Sequence, residues 1–495
     1  MLFGVAEPEL VDVVVVGLGV GGEEVAERLA EAGLSVVGVE RGLVGGECPY
    51  WGCIPSKMMI RAANALAEAR RVDGLAGTAQ VQPDWAPVAK RIREEATDTW
   101  DDTVAAERFV GKGGQLVRGS GRLDGPRRVR VGDQVFEARH GVVLGTGTRP
   151  SVPPIDGLAD TPYWTNHQAI EVEELPESLL VLGGGAIGLE LAQVFARFGV
   201  RVTVVEALDR VLAIEEPEAS EVAAAALRAD GVEIHTGVRA ERVEHDGTRF
   251  TLHGGGGAEF TADRLLVVTG RKAHLAELGL DTIGLDASQR YLPVDDRLHV
   301  TDHVWAVGDI TGEGAFTHIA MYQAGIVVAD ILGRARQAKA GADASGTSSV
   351  VGGAMGASSS LAASGSSGSA GTIPRADYRA LPRVTFTDPE IGAVGLTEQQ
   401  ARERGINVQV GFTALSSSTR GWIHRVGDDG FIKVLADADQ GVLIGATSAG
   451  PAGGEVLSAL VVAVHAAVPL SQLRHMIYAY PTFHRAIETA LRDLS

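Results

Sequence analysis

One design occurs twice in this chain, and the repetition constrains its fold more than any other feature. Residues 13–16 are four consecutive valines, and Gly17-Leu-Gly19-Val-Gly-Gly22 follows at once. Val25, Ala26, Leu29 and Ala30 then recur at helical spacing, and a second apolar run, 35–39, ends at Glu40. The same order returns at 179–182, Gly183-Gly-Gly185-Ala-Ile-Gly188, 189–198, 202–205 and Glu206. A continuous β-branched run suits a parallel strand covered on both faces. Strand, glycine turn, helix and strand in succession make a βαβ unit, so the chain is expected to be α/β with two Rossmann-like halves.

The glycines carry chemistry as well as geometry. A pyrophosphate must come close to the backbone at the positive end of a helix, where a side chain would block it and a Cβ would forbid the turn. Gly17, Gly19 and Gly22 meet that need in the first unit, and Gly183, Gly185 and Gly188 in the second. Glu40 lies 23 positions after Gly17. A carboxylate there accepts hydrogen bonds from both hydroxyls of a ribose. Two units imply two dinucleotides. Glu206 would repel a 2′-phosphate, which favours NADH over NADPH, while Arg210 nearby would soften that preference.

Between the units lie helical stretches around 60–71 and 85–109, and the run Val142-Val-Leu-Gly-Thr-Gly147-Thr-Arg-Pro150. A comparable strand, 265–271, ends in Thr-Gly270-Arg, and Val304-Trp-Ala-Val-Gly-Asp309 is another strand entering a glycine turn. Residues 338–371 turn to Gly, Ala and Ser with almost no charge, the composition of a flexible insertion. The remainder, 372–495, alternates short strands (384–387, 431–435, 442–447) with helices at 454–467 and 483–494, a compact α+β domain.

The net charge of −19 repels phosphate backbones and anionic lipid, so neither nucleic acid nor membrane is an expected partner. No apolar run is long enough to span a bilayer, and the first ten residues lack the basic start and apolar core of a secretory signal. A cytoplasmic protein is expected. The two cysteines, Cys48 and Cys53, lie five positions apart in a chain of 495 residues. That is too small a loop to staple such a chain, and no metal site is expected from so few ligands. Four intervening residues allow one helical turn, which brings two thiols to disulfide distance. Two inert small hydrophobes are the alternative. A thiolate is the nucleophile of such a couple, and Lys57 is a candidate cation to favour it.

Taken together, Gly45–Lys57 (Gly-Gly-Glu-Cys-Pro-Tyr-Trp-Gly-Cys-Ile-Pro-Ser-Lys), Gly145-Thr-Gly-Thr148, Val307-Gly-Asp309 with Thr317-His-Ile-Ala320, and Phe386-Thr-Asp-Pro-Glu-Ile-Gly-Ala-Val-Gly-Leu396 resemble the pyridine nucleotide-disulfide oxidoreductases. That family includes lipoamide dehydrogenase, glutathione and mycothione reductases and mercuric reductase. The resemblance covers nearly the whole chain apart from the insertion. It implies an FAD-binding domain at 1–155, an NAD(P)H-binding domain at 156–289, a return to the central domain at 290–337, the insertion at 338–371 and a dimerisation domain at 372–495. It implies FAD at the first unit, with Glu40 on its ribose and Asp309 on its ribitol, and NAD(P)H at the second. Gly147 and Gly270 join the glycines of the two turns as cofactor-binding positions.

The resemblance further implies that Cys53 faces the flavin, that Cys48 is the interchange thiol, and that Lys57 pairs with Glu190. Electrons would pass from NAD(P)H through FAD and the Cys48–Cys53 disulfide to an unidentified acceptor, a disulfide or another electrophile. The enzyme would be a homodimer whose active site is shared between subunits. One departure stands out. The family's acid–base His before Pro-Thr is Tyr480 here, and the Glu five positions later is Arg485. Tyrosine, with a pKa near ~10, is a poor proton acceptor at neutral pH. Tyr480 is therefore expected to line the acceptor site as a hydrogen-bond donor. His484 and Glu488, at i and i+4, would replace the lost dyad or simply share a helix face. Mercuric reductases also carry Tyr at the position of Tyr480, but they have a C-terminal cysteine pair and an N-terminal metal-binding domain not expected here. A mercuric-ion or quinone reductase, or a redox-sensing scaffold without catalysis, are the rival readings.

Overall fold

The structure is a computed structural model that describes residues 7–346 and 374–495, with side chains of 340–346 excepted. Two compact units emerge. One comprises Met1–Gly46, Asp101–Arg149 and Ala273–Ala376, and the other Glu47–Trp100, Pro150–Lys272 and Asp377–Ser495.

The first unit is built on one sheet. Its central strands are parallel, in the order Val304–Ala306, Gln134–Leu144, Glu9–Val16, Val36–Glu40 and Gln115–Arg118. His299–Thr301 adds an antiparallel edge, and Arg128–Val131 pairs antiparallel with the long central strand. The valine run explains itself. Val13 and Val15 enter one core with Val25, Leu29, Trp305 and Val327, while Val14 and Val16 enter another with Val37, Phe136 and Leu280. Both faces are dry, which is why the run shows no polar alternation. The helices Val20–Glu31 and Thr317–Gly346 pack on the first of these faces. That second helix extends into the Gly/Ala/Ser stretch that begins at residue 338; residues 347–373, the rest of the sequence-expected insertion and the two residues after it, lie outside the described residues.

Among the described residues, the second unit holds three sheets of three or more strands. A parallel sheet runs Glu233–His235, Arg201–Val205, Ser178–Leu182, Arg264–Val267. An antiparallel three-stranded sheet, Ala240–His245, Phe250–Gly254 and Ala258–Ala262, covers one face through Val243, Phe250 and Leu252. The C-terminal sheet is antiparallel, ordered Pro382–Thr385, Glu390–Gly395, Val442–Gly450, Phe431–Asp437, Val408–Ala414. Helices Gly453–His465 and Ala486–Asp493 pack on it. The chain thus has two Rossmann-like regions and a C-terminal α+β domain.

Two elements differ from the sequence reading. The helix around 60–71 begins earlier, as Cys53–Arg70, because Pro55 sits in its first turn, where a missing N–H costs nothing. The stretch 85–109 is not one helix. Ala86–Arg91 passes into a π-helical turn, Ile92–Ala96, and Asp98, Thr99 and Trp100 then all take positive φ before Thr103–Gly111 resumes. Three successive left-handed residues cannot continue a right-handed helix.

Candidate functional site

The two glycine turns are built alike. Gly19 and Gly185 are the N-caps of twelve-residue helices, Val20–Glu31 and Ala186–Arg197, and neither cap offers a side chain to the helix amides. Gly17 and Gly183 have φ of +90° and +117°. A Cβ on Gly22 would lie 1.9 Å from the Gly17 carbonyl oxygen, and one on Gly188 would lie 2.2 Å from that of Gly183. These four glycines are required by the turn itself. Gly185 is different, since a Cβ there would meet nothing within 4 Å. At Gly19 the nearest atoms are 3.9 and 4.0 Å away. Neither position carries a side chain that would stand between a pyrophosphate and the helix N-terminus. Gly147 (φ +61°) and Gly270 (φ +126°) likewise face open space.

Each unit also folds its acid back onto the turn. Glu40 accepts from the amides of Leu18 (2.7 Å) and Gly42 (2.7 Å). Glu206 accepts from Gly184 (2.5 Å) and Leu208 (2.8 Å). An ionised carboxylate has about four acceptor sites, so each retains capacity for ribose hydroxyls. Arg210 is committed elsewhere. Its guanidinium donates to the carbonyls of Leu212, Ala213 and Glu215 and to Ser220 Oγ, bracing its own loop. Asp309, in the turn Gly308–Thr311, accepts from Thr148 Oγ1 at 2.7 Å. Residues of both turns therefore fit dinucleotides.

The cysteines flank a break in helical structure rather than sharing one turn. Cys48 is half-buried in the short helix Glu47–Trp51, and Cys53 is exposed as the first residue of Cys53–Arg70. Gly52 separates them with φ −125° and ψ −119°, and a Cβ there would sit 3.2 Å from the Cys48 Cα. One turn further along, Lys57 Nζ lies 2.7 Å from Glu190 Oε2 and 4.5 Å from the centre of the Phe386 ring. The other Glu190 oxygen accepts from the Phe386 amide at 2.8 Å. Glu190 is buried while the Lys57 side chain is about one-third exposed, so the pair anchors a partly exposed cation on a buried carboxylate.

Sequence reasoning missed a second acid beside the thiols. Glu47 Oε1 is 2.6 Å from His167 Nε2, and Oε2 is 3.2 Å from Arg271. Burial raises the Glu47 carboxyl, but the His167 hydrogen bond and the Arg271 charge outweigh it and hold the group below its ordinary value. The His167 ring stacks flat on Trp51, with centroids 4.3 Å apart. The partners lie 120 residues apart in sequence, beyond any periodic signal.

At the C-terminus, Tyr480 is exposed, and the Arg485 guanidinium lies 5.6 Å from its ring centre. His484 belongs to the 3₁₀ turn Phe483–Arg485, ahead of the helix that carries Glu488. The Glu488 carboxylate is bound by Arg485 at 3.1 Å and by Arg492. It does not serve His484 as an orienting acid. No group of three or more His, Cys, Asp or Glu among the described residues is placed to hold a metal ion. No described helix is long and apolar enough to cross a membrane.

Comparison with known proteins converges on one family. Residues 11–324 match pyridine nucleotide-disulphide oxidoreductase, and residues 381–491 match the dimerisation domain of that family. The chain is 33% identical over 500 residues to a mercuric reductase of Streptomyces lividans, covering 98% of this chain and 96% of that one. It is 31% identical over 498 residues to a dihydrolipoyl dehydrogenase of Haloferax volcanii, covering 97% and 96%. Among solved structures, the HOCl-induced flavoprotein disulfide reductase RclA of Escherichia coli, in its Cu(II) complex, aligns with a TM-score of 0.79 at 26% identity over 98% of this chain and 99% of that one. The chain belongs to the class I pyridine nucleotide-disulfide oxidoreductases, flavoenzymes that move electrons from NAD(P)H through FAD to a redox-active disulfide.

Proposed function

We propose that this enzyme uses NADH to reduce a thiophilic electrophile at Cys48, working as a cytoplasmic homodimer whose acceptor site is completed by Tyr480 of the second subunit. One observation carries the reading: the position of the family's acid–base pair holds a tyrosine with an arginine over its ring. A guanidinium carries donors and no acceptor, and the local carboxylate, Glu488, is bound to two arginines. An acceptor that needs a proton delivered from this point would be turned over slowly, since a positioned acid–base group contributes about 10²–10⁴-fold. A metal ion or another soft electrophile that takes electrons from thiolates has no such need. The relatives named as mercuric reductase and the Cu(II) complex of RclA are consistent with acceptors of this kind.

The residues divide the work. When bound, FAD supplies a two-electron relay between nicotinamide and the thiol pair. Gly17, Gly19 and Gly22 admit its pyrophosphate to a helix N-terminus, Glu40 orients its ribose, Gly147 keeps the approach bare and Asp309 holds its polyol chain. Gly183, Gly185, Gly188 and Gly270 do the same for the nicotinamide dinucleotide, and Glu206 disfavours a 2′-phosphate, with Arg210 spent on its own loop. Cys53 takes the flavin side, and Cys48 attacks the acceptor. Lys57, fixed by Glu190, holds positive charge beside the couple and favours the thiolate.

The test is a panel of acceptors under NADH: mercuric and cupric ions, oxidised lipoamide, glutathione disulfide and a quinone. Metal-ion turnover at least about 100-fold above either disulfide, abolished in Cys48→Ser, is the expected result. Fastest turnover with a disulfide would overturn the choice of acceptor. Quinone turnover that survives loss of both cysteines would remove the thiols from the pathway.

A further inference from the structure

We infer that Glu47 and His167 are positioning residues that tune Cys48, a role that rests on Cys48 being the thiol that meets the acceptor. Glu47 immediately precedes Cys48 and is the first residue of its helix. Adjacent Cα atoms are about 3.8 Å apart, so a carboxylate charge at 47 stays within a Debye length (~10 Å) of the sulfur at 48. Left bare, that charge would oppose formation of the thiolate, the form that attacks.

The surroundings neutralise it. Oε1 meets His167 Nε2 at 2.6 Å, Oε2 meets Arg271 at 3.2 Å, and Asn166 Nδ2 approaches Oε2 at 3.3 Å. The same helix, Asn166–Glu171, grips the far end of the Cys-Pro-Tyr-Trp segment. Asn166 donates to the Trp51 carbonyl at 2.9 Å, and the Trp51 indole N–H donates to Glu171 at 2.6 Å. His167 joins the two grips, bonding Glu47 and lying parallel to the Trp51 ring within 2°. The charged and titratable groups facing this cluster are thus Glu47, Glu171, Arg271 and His167, and they arrive from three separate stretches of chain. Neither Glu47 nor His167 is placed to exchange electrons. Together they fix the backbone between the thiols and set the charge next to one of them.

Two substitutions separate charge from scaffolding. Glu47→Gln is nearly isosteric and removes the negative charge. His167→Ala removes a hydrogen-bond partner of that carboxylate and the ring stacked on Trp51. In dithiothreitol-reduced holoenzyme, the pH profile of iodoacetamide alkylation at Cys48, followed by peptide mass spectrometry, should move down by roughly half a unit to one unit in Glu47→Gln and up by a similar amount in His167→Ala. A merely structural role would not move the two in opposite directions. Profiles that coincide with wild type, or that shift the same way, overturn the proposal, and flavin content verifies that each variant is folded. The parent reading is scored separately, by the long-wavelength thiolate-to-flavin absorption of NADH-reduced wild type. Its absence would sink that reading without touching the alkylation result.

Discussion

The two glycine-turn units share a plan but differ in what closes on them and in what anchors their helices. Around the first, Gly17 lies against Gly145, where a Cβ would come within 2.7 Å, and Gly46 lies against Gly19 at 2.8 Å by the same measure. Three backbone segments wall that helix N-terminus. At the second, Gly183 backs onto the Val268 carbonyl, and nothing stands over Gly185. A walled cradle suits a cofactor kept through turnover, and an open one suits a dinucleotide that arrives and leaves. The anchoring is reversed. The first helix is tied by Arg108 and Lys112 to Glu23 and Glu27, with Arg108 half exposed. The second ends in Arg197, fully buried, which binds Asp388 (2.7 Å), Asp230 (2.9 Å) and Asn64 (2.7 Å), while Arg71 also binds Asp388. The open site rests on the more deeply buried anchor.

The largest expected effect tests the anchors. Asp388→Asn leaves buried guanidinium charge undercompensated and should cost about 3–5 kcal/mol of stability, whereas Arg108→Ala should cost at most about 1 kcal/mol. Chemical denaturation of both variants measures the contrast, and equal losses would break it. The acid limb carries a further sign. Burial raises the Asp388 carboxyl, but Arg197 and Arg71 overcome that and hold it low. Its contribution is therefore present above the unfolded carboxylate value and is lost as pH falls through the folded one. Wild type should lose this stability in acid, and Asp388→Asn should show a flatter acid limb.

Next come the cradles. Gly22→Ala and Gly188→Ala place a Cβ 1.9 and 2.2 Å from a carbonyl oxygen. Overpacking of this kind costs about 1–3 kcal/mol, or roughly 5–150-fold in affinity. If the walled site keeps the flavin, Gly22→Ala should purify depleted of yellow colour, whereas Gly188→Ala should stay yellow and show a raised KM for NADH. The opposite pattern would exchange the assignments.

What the sequence disclosed, and what it hid, follows from the same physics. Gly17, Gly22, Gly183 and Gly188 answer backbone demands that only glycine meets, so their spacing announces the turns. Glu40 and Glu206 end strands at fixed distances from those turns, and that too is local. The pairing of Lys57 with Glu190 came only through family resemblance. Glu47 and His167 had no such guide, because a contact between distant segments leaves no period. The left-handed run at 98–100 was hidden because Asp, Thr and Trp occupy it where glycine would have flagged it. The start of Cys53–Arg70 was hidden because Pro55 reads as a breaker unless one knows it lies in the first turn.

A smaller effect tests the dinucleotide preference. Glu206→Gln keeps one acceptor oxygen but loses the charge and one of two amide bonds. Charge-assisted bonds are worth about 1.5–3 kcal/mol, so kcat/KM for NADH should fall about 10-fold or more while that for NADPH falls less. An unchanged ratio of the two would place the discrimination outside Glu206.

The smallest effect expected concerns Tyr480, and it separates a donor from a proton shuttle. If Tyr480 only lines the acceptor site, Tyr480→Phe removes one neutral hydrogen bond of about 0.5–1.5 kcal/mol. Metal-ion turnover should then fall by no more than about 10-fold, and its pH profile should keep its shape. If Tyr480 moves a proton, the loss should approach the 10²–10⁴ range of acid–base catalysis, and the alkaline limb of the profile should vanish with the phenol. Arg485→Ala sharpens the distinction, because it removes the cation over the ring and leaves the hydroxyl in place. A tyrosine that merely shapes the pocket should register that change weakly, whereas a titrating one should respond with a displaced alkaline limb.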